Sequence, residues 1–283
     1  MPDKNVVALY SVTGLLGSGF LKELSKAHEE GKITLVVLHR AGSDTSQVPD
    51  NVEKRVLGYG HTNGSSAIDK VSQEQHFKFM RHLADIKTLT TFIPSDYSIN
   101  WSREELNVDQ NVIAQNKVAV NTQAKSWGVP LTVIHNGLFA PLFLAKEVTG
   151  IDVRGNKLRL YGDALNRKIG VTSIPYLSKA VAELVSGPKN ELPGSQYTVT
   201  EAEWTGQQVA DALEKANGSK PEIEKITDDE INAAIQQGEY AALAAGIQKK
   251  WGSGDFPDTS PLKPKNATPI TLDELVGQAK KLC

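Results

Sequence analysis

The most constraining stretch of this sequence is its beginning. A continuous apolar run, Val6 to Tyr10, passes at once into Ser11-Val12-Thr13-Gly14-Leu15-Leu16-Gly17-Ser18-Gly19 and then into Phe20-Leu21-Lys22-Glu23-Leu24-Ser25-Lys26-Ala27. An unbroken apolar run before a glycine turn suits a strand buried on both faces of a parallel sheet. Phe20, Leu21, Leu24 and Ala27 recur at helical spacing, with Gly31 as the stop. Ile33 to Leu38 is a second β-rich run and ends in His39-Arg40. Strand, glycine turn, helix and strand make a βαβ unit, which closes right-handed on a parallel sheet.

A glycine turn between a buried strand and a helix can bring backbone N–H groups and the positive helix end to a pyrophosphate. Side chains there would block the approach or clash where helix meets strand. The spacing is Gly14-x-x-Gly17, with Ser11 where a first glycine would complete G-x-x-G-x-x-G. A tight strand-to-helix turn is the plain alternative, but the strand before and the helix after favour dinucleotide binding. Ser11, Thr13, Gly14, Leu15, Leu16 and Gly17 are therefore the expected cofactor contacts. NAD-binding units usually place a carboxylate at the end of the second strand, against the adenosine ribose. Here Arg40 stands there, a cationic fork suited to a 2′-phosphate, which favours NADPH over NADH. The alternative for Arg40 is a solvated surface arginine.

Strands and helices continue to alternate. Val52 to Leu57 reads as a third strand, Ser72-Gln73-Glu74-Gln75 as the start of a helix, and Thr88 to Ile93 as a strand broken at Pro94. A polar loop, the helix Val112 to Trp127 and the strand Leu131 to His135 follow. This alternation predicts an α/β fold, a Rossmann-type doubly wound parallel sheet with a smaller C-terminal α/β substrate lobe. Residues 1–137 form the expected nucleotide-binding domain and 138–283 mainly the substrate lobe. In that lobe Lys157 to Tyr161 and Gln196 to Val199 read as strands. Helices are expected at Tyr176 to Val185 and behind three capping boxes, Thr205…Gln208, Thr227…Glu230 and Thr271…Glu274. Lys249 to Ala267 reads as an ordered loop or lid, and Lys249-Lys250 as solvated surface.

Composition narrows the partners. Lys and Arg number 31 against 33 Asp and Glu, a net charge of -2, so no general field draws the chain to nucleic acid or anionic lipid. The single Cys283 allows neither an intrachain disulfide nor a cysteine zinc site. The apolar stretch Val129 to Ala145 is interrupted by His135, Asn136 and two prolines, and the N-terminal run is too short for a signal-peptide core. No His/Asp/Glu cluster has metal-ligand spacing and no G-x-S-x-G elbow is present. The expectation is a cytoplasmic protein with a small-molecule substrate, no metal, no nucleic acid and no membrane, its oligomeric state open.

Several segments together resemble one family. Ser11-Val12-Thr13-Gly14-Leu15-Leu16-Gly17 looks like the G-A-T-G-x-x-G turn of the NmrA-like and isoflavone-reductase-like atypical short-chain dehydrogenases. Phe92-Ile93-Pro94-Ser95-Asp96-Tyr97 resembles their F-x-P-S-E-F signature, and Val133-Ile134-His135-Asn136-Gly137-Leu138-Phe139 the strand end lining the nicotinamide pocket. Arg40 matches the group's NADP-selecting arginine and Lys117 its active-site lysine. The resemblance implies an NADPH-dependent reductase of a small aromatic or otherwise apolar carbonyl or enone. Lys117 would be the catalytic residue and would also touch the cofactor with Ser95 and Phe139. Its competitors are an NmrA-type NADP-binding, redox-sensing regulator without catalysis, and cofactor-assisted chemistry without net redox.

The sequence departs from the family at Ser11 and at Tyr97, and Ile113 stands where a Tyr-x-x-x-Lys pair would need its tyrosine. A larger departure lies after the third strand. The family places a helix, a fourth buried strand and another helix before the Phe92 strand, yet His61 to Val71 holds no run of four apolar residues. A strand and a helix beside the first strand are missing, through an omitted segment or a true deletion. For the single residues the plain alternatives are a solvent-facing lysine at 117, packing for Tyr97 and Phe139, a turn role for Ser95 and a satisfied buried histidine at 135.

Overall fold

The computed structural model describes residues 4–57, 70–106, 111–254, 256 and 260–282. The first part of the chain runs β1 (Asn5–Tyr10), α1 (Leu15–Glu29), β2 (Ile33–Arg40), β3 (Glu53–Leu57), α2 (Lys70–Ala84), α3 (Arg103–Leu106), α4 (Val112–Ser126) and β4 (Val133–His135). It continues through β5 (Leu138–Phe139), α5 (Ala140–Phe143), α6 (Lys146–Thr149), β6 (Ile151–Asp152), β7 (Lys157–Tyr161), β8 (Lys168–Thr172) and α7 (Ile174–Val185). The remainder is β9 (Gln196–Thr198), β10 (Ala202–Thr205), α8 (Gly206–Asn217), β11 (Glu222–Ile226), α9 (Asp228–Ile235), α10 (Glu239–Ser253), β12 (Ser260–Pro261) and α11 (Leu272–Leu282).

The chain folds as the α/β Rossmann-type architecture expected. β1, β2 and β3 form a parallel sheet in that order, with Val7 opposite Leu35 and Leu38 opposite Arg55. α1 lays its apolar stripe, Phe20, Leu21, Leu24 and Ala27, into one core with Ile33, Leu35 and Val37 of β2. α7 enters the same core through Leu177, Ala180, Val181 and Leu184. At its C-terminus the Asn5 amide of β1 donates to the carbonyls of Val185 (2.7 Å) and Gly187 (2.9 Å), satisfying groups a helix end leaves open. A late helix is thereby tied to the first strand.

β1 is not buried on both faces, as the apolar run suggested. Its burial alternates, and Val6 is 70% exposed. Among the described residues β1 pairs with β2 alone. The segment read as a strand over 88–93 makes one parallel bridge, Phe92 to Leu131, beside a second parallel sheet of β4, β9 and β12. The edge of β1 away from β2, which pairs with no strand among the described residues, is where the resemblance expects a fourth strand. Side chains join the two sheets there: Phe79 of α2 lies 6.4 Å from Tyr10 and 5.8 Å from Phe92, ring centre to ring centre. The unusual stretch 61–69 lies outside the described residues.

In the second half, β5, β8 and β10 form one small sheet and β6, β7 and β11 another. Their core centres on Phe143, whose ring lies tilted against Trp204 at 5.6 Å and Trp251 at 5.8 Å, centre to centre. Thr205 and Thr227 cap α8 and α9 with both reciprocal bonds of a capping box, and Thr271 and Glu274 bond likewise at α11.

Two expectations are corrected here. Residues 249–253 are the last turn of α10 rather than loop. Lys250 is buried, not solvated: its ammonium pairs with Glu105 at 2.6 Å and lies over the rings of Trp101 (5.6 Å) and Phe256 (5.3 Å). A desolvated lysine is tolerated because a carboxylate and two ring faces replace water. The pair fixes the 98–106 segment to α10. No helix among the described residues is long and apolar enough to cross a membrane.

Candidate functional site

The glycines of the first turn have separable reasons to be glycine. A Cβ at Gly17 would sit 2.9 Å from the carbonyl carbon of Ser11 and closer still to its oxygen, so helix and strand can approach only without it. A Cβ at Gly19 would meet Ile174 and Ser178 of α7 at 2.6 and 2.7 Å. Gly14, the N-cap of α1, is different: a Cβ there would have nothing within 4 Å, and no side chain caps the helix. Its openness owes nothing to packing and leaves a helix N-terminus accessible. Ser11 keeps the left-handed backbone that a first glycine would adopt freely, with φ at 68°. The turn and the end of β2 share one surface concavity, lined by Tyr10, Ser11, Val12, Thr13, Leu38, His39, Arg40, Ser43 and Asp44. Arg40 and the turn are thus brought together. Asp44, the carboxylate of that concavity, accepts from the Ser46 N–H at 2.8 Å, which holds its pKa below the ordinary carboxylate range.

The second cluster forms where the Phe92 segment, α4 and β4 converge. Phe92 N–H donates to the Pro130 carbonyl (2.8 Å), Thr132 N–H to the Phe92 carbonyl (3.0 Å), and Asn136 N–H to the Ser98 carbonyl (3.1 Å). These bonds hold residues 92–98 along β4. Lys117 points from α4 into that junction, its side chain 17% exposed, with its ammonium 3.9 Å from Asp96. That separation is an ion pair without a direct hydrogen bond. Asn121, one helical turn beyond Lys117, donates to the other Asp96 oxygen at 2.6 Å. Burial lowers the Lys117 pKa and Asp96 partly restores it. Burial likewise raises Asp96, against Lys117 and the Asn121 bond. His135 of β4 is pushed down to about 4 by burial and then by the Lys117 charge, so its imidazole is neutral near pH 7.

The other expected residues fall as follows. Tyr97 packs in the α1 core, its ring 5.2 Å from Phe20, and burial pushes its phenol pKa up. Phe139 packs against the same core, and Ser95 is exposed. His135 is half-buried and not satisfied, since its buried Nδ1 has no hydrogen-bond partner among the described residues. Asn136 is the residue that sequence reasoning passed over. It is fully buried, and neither amide atom has a partner among the described residues. The following Gly137 has φ +64°, and a Cβ there would lie 2.8 Å from the Gly170 carbonyl carbon, so the turn carrying Asn136 is pinned to β8. An unsatisfied polar group inside a fold is the signal that marks it.

No family model matches the chain, and no curated protein matches it. Solved structures do. AtPrR2, solved with NADP+ and (+)-pinoresinol, superposes with a TM-score of 0.75 at 17% identity, covering 98% of this chain and 99% of that one. Leucoanthocyanidin reductase with NADPH from Vitis vinifera gives 0.69 at 17% identity, covering 97% and 99%. Triphenylmethane reductase of Citrobacter sp., complexed with NADP(H), gives 0.63 at 18%, again covering 97% and 99%. The chain has the fold of the NmrA-like, isoflavone-reductase-like atypical short-chain dehydrogenases.

Proposed function

We propose that the protein is an NADPH-dependent reductase of a small aromatic or otherwise apolar carbonyl or enone. The observation that carries this reading is the buried, paired Lys117 at the junction of the Phe92 segment and β4. The chain's residues suit the cofactor at three places. Gly14 leaves the N-terminus of α1 clear for a pyrophosphate, with Thr13, Leu15, Leu16 and Gly17 around it. Arg40 shares a surface concavity with Ser11, Val12 and Thr13 at the start of that turn, where its fork would take a 2′-phosphate. The buried carboxamide of Asn136, beside the Lys117 cluster and without a partner among the described residues, would offer a donor and an acceptor to a nicotinamide carboxamide once the side chains covering it move aside.

NADPH supplies the hydride when bound. Lys117 holds an ammonium where water is largely excluded, and such a group stabilises negative charge developing on a substrate oxygen more strongly than it would in solvent. It can pass a proton to that oxygen, or to the carbanion of a reduced enone, directly or through a water. The buried phenol of Tyr97 is packed against Phe20 and is not assigned a proton-transfer role. We take residues 1–137 as the nucleotide side and 138–283 as mainly the substrate side, the substrate lying between them. The resemblance of the Phe92–Tyr97 and Val133–Phe139 segments to reductases that act on aromatic compounds supports the substrate class.

The test is NADPH consumption by the purified protein across aromatic aldehydes, ketones and enones, with Lys117→Ala in parallel. Turnover should fall by about 100-fold or more in the variant, the usual scale for a lost general acid. Unaltered turnover would overturn the role of Lys117. Tight NADPH binding without turnover on any substrate would favour the regulator instead.

A further inference from the structure

We propose that Asp96, clamped by Asn121, is the positioning residue that keeps Lys117 charged and aimed, so that the working unit is an Asp–Asn–Lys clasp rather than a lone lysine. This rests on the reading of Lys117 given above. The geometry is specific. Lys117 and Asn121 are four residues apart on α4 and face the same way, and the single carboxylate of Asp96 meets both, at 3.9 Å and 2.6 Å through its two oxygens. Asp96 itself stands at the end of a backbone held to β4 by the Thr132 and Asn136 bonds, so it is anchored from two sides.

The clasp answers a physical problem. A lysine buried without a counter-charge loses its proton readily, by up to about 3–5 in pKa when burial is complete. Without a counter-charge, the burial that already lowers the Lys117 pKa would act unopposed and weaken it as a cationic acid. His135, from β4, feels the Lys117 charge, and an imidazole, neutral or protonated, supplies no counter-charge to an ammonium. α2 and α10 also pack on α4, and among the described residues no charged group of theirs acts on the Lys117 ammonium. Asp96 is left as the carboxylate that offsets desolvation. Asn121 fills the second oxygen, which would otherwise draw the ammonium off axis or favour the protonated acid.

The decisive measurement is the titration of the Lys117 side chain by 13Cε/15Nζ NMR in lysine-labelled protein, with its signal assigned by its absence in Lys117→Met. In Asp96→Asn the apparent Lys117 pKa should fall by about 1 or more, the scale of one lost opposite charge at this range. Asp96→Glu, which keeps a carboxylate, should recover at least half of that fall. Asn121→Ala should lower the pKa in the same direction by less, and it serves as the second variant should Asp96→Asn fail to fold. The alkaline limb of the pH profile for NADPH turnover should move down with the NMR value. A Lys117 pKa unchanged in both Asp96→Asn and Asn121→Ala would overturn the clasp. Absence of turnover in every protein, with the NMR shifts as stated, would instead overturn the reductase reading and leave the clasp standing.

Discussion

Gly14 and Gly17 occupy one turn, three residues apart, and the structure predicts opposite consequences for the same substitution at the two sites. At Gly17 an alanine Cβ would lie 2.9 Å from the Ser11 carbonyl carbon and 3.1 Å from Val12 Cα. Relaxed carbon contacts are about 3.5–4.0 Å, so the N-terminus of α1 must shift against β1 by at least half an ångström or so. Both partners are backbone, and no side-chain rotation relieves the overlap. Overpacking of this kind costs about 3 kcal/mol or more, which is roughly 6–12 °C in Tm for a large domain. At Gly14 the Cβ enters open space and the backbone, φ −77° and ψ 166°, suits any residue. The poorer N-cap costs about 0.5–1 kcal/mol, and the stiffer unfolded chain returns about 0.4–1. Gly14→Ala should therefore keep Tm within about 2 °C of wild type. Its methyl group would, however, occupy the approach of a pyrophosphate to the α1 N–H groups. Losing one charge-assisted bond costs about 1.5–3 kcal/mol, roughly 10- to 150-fold in Kd. Thermal unfolding, with and without saturating NADPH, reads both quantities. A Gly14→Ala protein that binds NADPH like wild type would refute the turn as the phosphate site, and a Gly17→Ala protein of unchanged Tm would refute the packing argument.

Two further outcomes follow from single residues. Ser11 holds a left-handed φ of 68° at a cost of about 1 kcal/mol. Ser11→Gly should relieve it, less the entropy glycine adds to the unfolded chain, for a net rise of about 1–2 °C in Tm; a fall beyond 2 °C would mean that the hydroxyl makes a stabilising bond. His135 has a folded pKa near 4 against about 6.5 unfolded, so between those values the unfolded chain binds more protons and stability declines as pH falls. Urea midpoints should show wild type losing about 2 kcal/mol more than His135→Gln between pH 7 and pH 5, and parallel curves would contradict a buried neutral imidazole.

How far the sequence could be read is clearest at particular elements. The βαβ start was legible because glycine spacing, helical period and a β-branched run coincide within one short stretch, and local chemistry alone decides each. The capping boxes at Thr205, Thr227 and Thr271 were legible for the same reason. β1 was misjudged because an apolar run reports what a strand would bury, while its neighbours decide whether it does; here the second edge has no partner among the described residues. Lys250 was misjudged for a related reason. Its charge reads as surface, and only the fold brings Glu105, Trp101 and Phe256 from elsewhere to receive it. The loop assignment at 249–253 failed because Gly252 and Ser253 read as breakers, yet α10 carries both before stopping at Gly254 in a left-handed cap. In the site, Lys117 came from the resemblance, and its partner Asp96 was in view but unassigned. The spacing of Lys117 and Asn121 put both on one face of α4, but nothing local said that Asp96, twenty-one residues before the first of them, would meet that face. Asn136 could not be singled out at all, because being unsatisfied is a property of surroundings.

The central claim is that this turn and Arg40 together hold NADPH. Calorimetric titration of NADPH and of NADH into wild type and Arg40→Ala tests it most directly. Wild type should bind NADPH more tightly than NADH. Arg40→Ala should lose about 10- to 150-fold in NADPH affinity, the value of a charge-assisted bond to a phosphate, with NADH affinity changed less than about twofold. Equal loss for the two nucleotides, or binding of neither by wild type, would contradict the account.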